Sequence, residues 1–309
     1  MSLGAHDVPA AVRGKAAALG AAGERWLRGL DAEVAALERE WGIVVGSPLL
    51  GGADAFVAAA TTAGGEPAVL KLALPSQGPA HQIACLRAAA GRSYVRLLRH
   101  DEARGALLLE RLGPALGDLG LPVARQLEVL CATLTRAWTV PAPGGFTTGA
   151  EKASWLAGFI RETWDALGRP CSERVVTTAL GFAAAREAAF DPATAVLVHA
   201  DAHSGNALAV PGHGEFRLID PDGLFAEPAC DLAVPMREWS TELLAGDPVR
   251  GARERCATLS RLTGVDPDPI WAWGFMERVA TGLLCLQSDQ EQLGRDTLAV
   301  AEAIAVVRP

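Results

Sequence analysis

The 309-residue chain lacks the features that mark several large classes of protein. No stretch reaches the ~18 uninterrupted apolar residues of a membrane span, and residues 1–26 lack the apolar segment of a secretory signal. The six cysteines are scattered without a C-x-x-C pair, and the net charge of −8 leaves no basic surplus for nucleic acid. We therefore predict a cytoplasmic protein with reduced, mostly buried thiols that binds neither membrane nor nucleic acid. Its oligomeric state stays open.

The charges are divided unevenly along the chain. Residues 1–112 carry 11 acidic and 12 basic side chains, whereas residues 113–309 carry 25 acidic and 16 basic ones. Chance explains such a split as well as function does. A functional division would let the first part tolerate an anionic ligand and the second part attract a cationic one.

The spacing of hydrophobic residues changes along the chain. Residues 24–41 place apolar side chains at helical spacing. Five short apolar runs follow, and a helical segment at residues 79–91 lies between the third and fourth of them. Helical patterns prevail from residue 123 onward. We therefore predict an α+β fold with two domains, residues 1–112 and residues 113–309, that meet at the turn-forming pair Gly113-Pro114.

One loop between two apolar strands carries the most specific motif of the sequence. His199, Asp201 and Asn206 form an H-x-D-x-x-x-x-N pattern, and Asp220 follows at the end of a further apolar strand. Phosphoryl transfer needs a carboxylate that orients the attacking hydroxyl, oxygen ligands for Mg²⁺ and a cation on the phosphates. We predict that Asp201 is catalytic, that Asn206 and Asp220 bind Mg²⁺, and that His199 supports the loop by hydrogen bonding.

The predicted cation is Lys71, which lies within an apolar strand and is one of only three lysines beside 25 arginines. A charge in such a strand is costly without a function, so Lys71 is predicted to contact nucleotide phosphates. An edge-strand lysine that faces water is the alternative. Gly51 and Gly52 could let the backbone approach the phosphates. The Glu110 carbonyl and the Leu112 N–H, at the end of the fifth strand, could bind an adenine edge.

Several segments resemble, in order, the aminoglycoside phosphotransferase family, specifically its streptomycin 6-kinase and hydroxyurea phosphotransferase branch. The similarity extends over most of the chain, and the segments that carry it are GERWLRGL, PAVLKLAL, VRLLRHDEARGALLLERL, LVHADAHSGNAL and LIDPDGLFAEPACDLA. The resemblance implies a protein-kinase-like bilobal fold with a nucleotide-binding, five-stranded antiparallel N-lobe and a mainly helical C-lobe that carries the catalytic loop and the substrate site. It also implies ATP or GTP with Mg²⁺, Asp201 as base, Asn206 and Asp220 on the metal, and Lys71 on the α- and β-phosphates.

The chain departs from that family pattern on the helix after the third strand. Kinases of this kind usually pair the strand lysine with a glutamate on this helix, but the matching position here is Gln82. Glutamine can accept a hydrogen bond from Lys71 but cannot form an ion pair with it.

We therefore predict an ATP-dependent phosphotransferase that acts on a hydroxyl of a small, polar, cationic acceptor, an aminoglycoside such as streptomycin. Its candidate contacts to the acceptor are Asp222, Glu227, Glu238, Asp289 and Glu291. Asp231 is predicted to cap the helix that it begins.

Three alternatives stay open. The first is a kinase of another small molecule, such as hydroxyurea, a sugar or an amino alcohol. The second is a weakly active nucleotide-binding module, which Gln82 favours. The third is a metal-dependent hydrolase in which His199, Asp201 and His203 hold the ion.

Overall fold

The computed structural model describes residues 8–49, 52, 54–75, 79–288 and 290–307. The chain divides into two compact units, Met1–Gly113 and Pro114–Pro309. The assignment of nucleotide binding to the first unit and of the substrate site to the second stays a prediction.

The first unit is built on a five-stranded antiparallel sheet with strand order β1-β2-β3-β5-β4. The strands are β1 (Ile43–Pro48), β2 (Ala55–Thr62), β3 (Pro67–Ala73), β4 (Leu97–Asp101) and β5 (Ala106–Glu110). One helix, α3 (Ala80–Ala89), lies between β3 and β4 in the chain. The five strands and the inserted helix that the sequence predicts are confirmed.

Two helices precede the sheet, α1 (Ala10–Ala18) and α2 (Ala21–Trp41). Their apolar faces share one buried cluster with residues of β2 and β3. The two helices approach each other closely, since a Cβ on Gly23 would lie 1.8 Å from the carbonyl oxygen of Ala16. Only glycine fits at this crossing. The sequence predicts α2 but not α1.

The second unit is mainly helical. Its helices are α4 (Val123–Ala137), α5 (Gly149–Ala166), α6 (Glu173–Ala188), α7 (Ala229–Arg237), α8 (Ser240–Leu244), α9 (Pro248–Thr263), α10 (Pro267–Gln287) and α11 (Glu291–Ile304). Helix α10 is buried on most of its surface and packs against α5, α6, α7, α9 and α11. A helix that is buried on most sides is typical of a domain centre, and α10 is the core of this unit.

Four short strands of the second unit form two antiparallel pairs. Strand β6 (Val196–Val198) pairs with β9 (Leu224–Ala226), and β7 (Ala207–Ala209) pairs with β8 (Phe216–Leu218). In each pair the end of one strand lies beside the start of the other, and the motif of the sequence occupies these ends.

Two expectations from composition can be compared with the structure. All six cysteines are free thiols; five are buried and Cys171 is partly exposed. The prediction of mostly buried, unpaired thiols is confirmed. Among the helices of the described residues, none has the length and apolar character needed to cross a bilayer.

Candidate active site

The pairing of β7 with β8 brings the two predicted metal ligands together. Asn206 immediately precedes β7, and the residue after β8, Ile219, donates its backbone N–H to the Asn206 carbonyl oxygen at 2.9 Å. Asp220 is the next residue and has φ of 54°, a left-handed conformation that aspartate adopts more readily than most residues. The hairpin therefore places the side chains of Asn206 and Asp220 at the same end of the strand pair.

The pairing of β6 with β9 adds a second set of strand ends. His199 follows β6, and its carbonyl oxygen accepts hydrogen bonds from the backbone N–H groups of Asp222 at 3.1 Å and Gly223 at 3.3 Å. The catalytic-loop candidate Asp201 and the acceptor candidate Asp222 therefore lie on neighbouring segments.

His199 is completely buried and joins three parts of the loop. Its Nδ1 accepts the backbone N–H of Asp201 at 3.1 Å, and its Nε2 lies 2.7 Å from the carbonyl oxygen of Ile219. Because a carbonyl oxygen can only accept, Nε2 carries the proton and His199 is the neutral tautomer. It links the segment of Asp201 to the segment that leads into Asp220.

These contacts argue against the metal-hydrolase alternative. Both ring nitrogens of His199 are engaged by backbone groups, so neither offers a lone pair to an ion. His203 also uses Nδ1, which accepts the Gly205 N–H at 3.0 Å. Across residues 8–49, 52, 54–75, 79–288 and 290–307, no three His, Cys, Asp or Glu side chains cluster in a metal-binding arrangement.

Asp231, a buried residue of α7, holds the start of the catalytic loop by hydrogen bonds. Its Oδ1 accepts the N–H of Ala200 at 2.7 Å, and its Oδ2 accepts the N–H of His199 at 3.1 Å and Nε1–H of Trp138 at 2.8 Å. The prediction that Asp231 caps its helix is wrong, because Pro228 occupies the cap position and the carboxylate is turned towards the loop. Burial raises the pKa of Asp231, and these hydrogen bonds oppose the rise.

The Asp231 contacts hold an unusual backbone conformation. Ala200 has φ of 72°, a left-handed conformation that is costly for a residue with a Cβ. Its N–H is fixed by Asp231, and the next residue is Asp201. The buried carboxylate therefore sets the direction in which Asp201 leaves the loop.

The Asp201 side chain is 36% exposed and in contact with the two polar side chains of the loop. Nδ2–H of Asn206 donates to the Asp201 carbonyl at 2.9 Å and lies 3.4 Å from Oδ2, and Nε2 of His203 lies 3.6 Å from the same oxygen. Since the Asn206 nitrogen faces Asp201, its Oδ1 faces away and can bind a cation. One amide oxygen and the Asp220 carboxylate fit Mg²⁺, which usually keeps several waters and takes few protein ligands.

Three further side chains reach this site that sequence reasoning missed. Arg237, on α7, donates from Nη2 to Asp201 Oδ1 at 3.0 Å and from Nη1 to Glu277 Oε2 at 3.0 Å. Lys152, on α5, lies with Nζ 3.2 Å from Glu277 Oε1. Of these three residues, only Lys152 could have been noticed in the sequence. It is one of only three lysines beside 25 arginines, the same rarity that singled out Lys71.

Lys71 lies in the middle strand of the first unit. Its Cα pairs with Val57 of β2 and with Leu107 of β5, so the alternative of an edge-strand lysine is wrong. Leu70 and Leu72, beside it, are buried, whereas Lys71 lies on the opposite, half-exposed face of the sheet. A lysine on that face can meet a phosphate, and its contact with nucleotide stays a prediction.

The other nucleotide candidates lie in or near the same sheet. Gln82 is half-buried in the first turn of α3. Gly52 is exposed, with open space around an added Cβ, and Gly51 lies outside the described residues. The Glu110 carboxylate accepts the N–H and Nε–H of Arg96, both at 2.8 Å. Leu112 is buried just after β5. The predicted roles of all these residues remain untested.

The five acceptor candidates occupy different surroundings. Asp222 is exposed next to the loop. Reduced solvation by the surrounding protein and the nearby negative charge of Asp201 raise the pKa of its carboxyl. Glu227 accepts the Trp273 Nε1–H at 2.8 Å and lies 3.3 Å from Arg186, and Glu238 directly follows α7. Glu291 forms an ion pair with Arg295 on α11, and Asp289 lies outside the described residues. Asp222 is the candidate best placed beside Asp201.

The fold and the loop together define a small-molecule phosphotransferase of the protein-kinase-like class. Residues 40–287 match the family model described as aminoglycoside/hydroxyurea antibiotic resistance kinase, and the chain belongs to that family. The predicted resemblance, the fold class and the phosphotransferase activity are confirmed.

Individual relatives extend over nearly the whole chain. The hydroxyurea phosphotransferase of Kitasatospora aureofaciens is 32% identical over 92% of this chain and 82% of its own length. The streptomycin 6-kinase of Streptomyces glaucescens is 29% identical over 94% of each chain.

Solved structures show the same fold at low identity. The choline kinase of Streptococcus pneumoniae superposes with a TM-score of 0.63 at 16% identity, covering 89% of this chain and 99% of the other. A spectinomycin phosphotransferase gives 0.57 at 15% identity, covering 87% and 96%. These likenesses concern the fold alone.

Proposed function

We propose that this protein transfers the γ-phosphate of Mg-ATP to a hydroxyl of a small cationic acceptor, an aminoglycoside such as streptomycin. The observation that carries the proposal is the catalytic loop itself. A partly exposed Asp201 carboxylate is held by buried contacts, with Asn206 bound to it and Asp220 on the adjoining strand end. This set matches the requirements of phosphoryl transfer and of no other reaction considered above.

Each residue has a separate task in this proposal. Asp201 accepts the hydrogen bond of the acceptor hydroxyl and orients its oxygen for attack. Asn206 and Asp220 hold Mg²⁺, which when bound neutralises charge on the phosphates. Lys71 adds a positive charge for the α- and β-phosphates. His199 and Asp231 keep the loop in shape while these groups act.

ATP is the proposed donor because the spectinomycin phosphotransferase that shares the fold was solved with ADP. GTP is the alternative donor. Competition between the two nucleotides in one assay decides the preference.

A cationic acceptor is favoured by charge. The second unit carries all of the acidic surplus of the chain, and Asp222 places an exposed carboxylate next to Asp201. Guanidinium and ammonium groups bind carboxylates through charge-assisted hydrogen bonds. Streptomycin carries two guanidinium groups, and the matched relative from Streptomyces glaucescens is a streptomycin 6-kinase.

Hydroxyurea is the second candidate acceptor, because the hydroxyurea phosphotransferase is 32% identical to this chain. It is neutral, so the acidic residues give it no electrostatic advantage. The Michaelis constant should therefore depend on salt for streptomycin but not for hydroxyurea.

The test is a phosphotransfer screen with Mg-ATP, in which the acceptor gains the mass of one phosphoryl group. Streptomycin, spectinomycin, hydroxyurea, choline and a set of sugars are the acceptors to compare. We expect streptomycin to be phosphorylated with a Michaelis constant that rises with salt, and Asp222→Asn to raise that constant at low salt. Phosphorylation of hydroxyurea alone would identify the second candidate, and transfer to none of them would contradict the proposal.

A further inference from the structure

We propose that Arg237 is a positioning residue for Asp201, and that Glu277 and Lys152 hold Arg237 in its position. The inference rests on the proposed function, in which Asp201 orients the acceptor hydroxyl. The four side chains form a chain of alternating charge that starts at the catalytic loop and crosses three helices, α7, α10 and α5.

Arg237 binds one oxygen of Asp201 and does not bind the other. Nη2 donates to Oδ1 at 3.0 Å, whereas Oδ2 lies near Asn206 and His203 at 3.4 and 3.6 Å. The Arg237 side chain is 14% exposed and that of Asp201 is 36% exposed, so the guanidinium supports the carboxylate from the buried side. Oδ2 is therefore the oxygen that meets the acceptor hydroxyl.

Glu277 fixes the direction of the guanidinium. Nη1 of Arg237 donates to Glu277 Oε2 at 3.0 Å while Nη2 donates to Asp201. A planar guanidinium that is bound at both terminal nitrogens cannot rotate without breaking a contact. A lysine in its place could satisfy only one of these two carboxylates with good geometry.

Lys152 completes the arrangement from α5. The Glu277 side chain is 8% exposed, and its second oxygen, Oε1, lies 3.2 Å from Lys152 Nζ. A buried carboxylate needs such partners. Lys152 Nζ also lies 4.8 Å from the centre of the Trp155 ring, which limits the movement of the ammonium group. Glu277 therefore has one cation on each oxygen and little freedom to release Arg237.

If these four side chains had only a structural role, they would join helices without affecting catalysis. The test therefore separates a structural role from a positioning role. We compare Arg237→Gln, Arg237→Lys and Glu277→Gln with wild type, using Mg-ATP and streptomycin as the probe. Arg237→Gln should lower kcat about 100-fold, the loss expected from a misplacement of about 1 Å, while the Michaelis constant for ATP stays unchanged. Arg237→Lys should recover part of kcat, and Glu277→Gln should lower kcat with ATP binding intact.

A matched control comes from the first unit. Arg104 also bridges carboxylates, with Nη1 2.8 Å from Glu40 and Nε 3.4 Å from Glu33. Arg104→Gln removes a bridging guanidinium by the same substitution and should leave kcat unchanged.

A double-mutant cycle with Asp201→Asn decides whether Arg237 acts through Asp201. If it does, adding Arg237→Gln to Asp201→Asn causes no further loss of kcat. The same cycle can be measured by urea unfolding, which detects the contact between Arg237 and Asp201 without any acceptor. We expect a non-zero coupling between the two substitutions in the free energy of unfolding.

The outcomes are distinguishable. An inactive Asp201→Asn variant beside an Arg237→Gln variant of normal kcat would overturn the positioning role alone, as would a zero coupling in unfolding. A fully active Asp201→Asn variant would instead refute the catalytic role of Asp201, and the positioning role with it. Wild type that transfers phosphate to none of the acceptors would refute the proposed function, and the coupling in unfolding would then test the contact on its own.

Discussion

Asp231 offers a sharp test of how the catalytic loop is held. The substitution Asp231→Asn keeps the size of the side chain but replaces one acceptor oxygen by an N–H₂ group. Oδ2 accepts two N–H donors, from His199 and Trp138, and Oδ1 accepts one, from Ala200. Whichever way the amide is flipped, at least one buried N–H loses its acceptor.

The expected loss follows from that count. A buried donor without an acceptor costs about 1–3 kcal/mol. Because Asp231 is completely buried and burial raises the pKa of its carboxyl, removal of the charge offsets part of this cost. We expect Asp231→Asn to lower the free energy of unfolding by about 1–3 kcal/mol. Asp231→Ala would leave all three N–H donors without an acceptor. The resulting loss of unfolding free energy would be a large part of the ~5–15 kcal/mol that stabilises a typical domain.

Urea unfolding and turnover are measured on the same variants. Trp138→Phe is the control, because it removes one donor and leaves the backbone contacts of His199 and Ala200 with Asp231. Both variants should shift the unfolding midpoint without changing its slope. Only Asp231→Asn should lower kcat, since it alone removes an acceptor from the backbone N–H of Ala200 or of His199, the two residues that lead into Asp201. Equal kcat in both variants would refute the view that Asp231 sets the loop.

Three further predictions concern charge. Asp220→Ala should abolish the Mg²⁺ dependence of ATP affinity, measured by calorimetry with and without the ion; a retained dependence would point to another ligand. Lys71→Ala should reduce kcat strongly, and Gln82→Glu should preserve or raise it, as steady-state kinetics can show; a sharp loss would mean that Gln82 has another contact. Burial favours a raised pKa for Glu277, but its two cationic partners outweigh burial and lower it. Its stabilisation is therefore present above the unfolded pKa, about 4.3, and is lost as pH falls through the lower folded value. Unfolding of Glu277→Gln should differ most from wild type at neutral pH, and a difference independent of pH would contradict this.

Much of the fold follows from local patterns. Short apolar runs separated by turn-forming or charged residues predict the five strands, and helical spacing predicts α2 and most of the second unit. Helix α1 escapes this reasoning because its alanine-rich sequence has little amphipathic pattern, and it becomes a helix by packing against α2, where Gly23 allows the close approach.

The candidate site is predictable only in part. The loop motif identifies Asp201, Asn206 and Asp220 because their spacing along one short segment is itself the signal. Arg237 and Glu277 carry no such signal, since Arg237 contacts Asp201, and Glu277 contacts Arg237, only in the folded chain where α7 packs against α10. The role of Asp231 is likewise tertiary, because local sequence favours a helix cap whereas the fold directs the carboxylate to the loop.

The central claim is that Asp201 supports transfer of phosphate from Mg-ATP to a hydroxyl of a small acceptor. The most direct measurement is the rate at which streptomycin gains the mass of one phosphoryl group with wild type and with Asp201→Asn, at equal nucleotide occupancy. We predict rapid transfer by wild type and a loss of about 10²–10⁴-fold in the variant with unchanged ATP affinity. Near-normal transfer by Asp201→Asn would contradict the account.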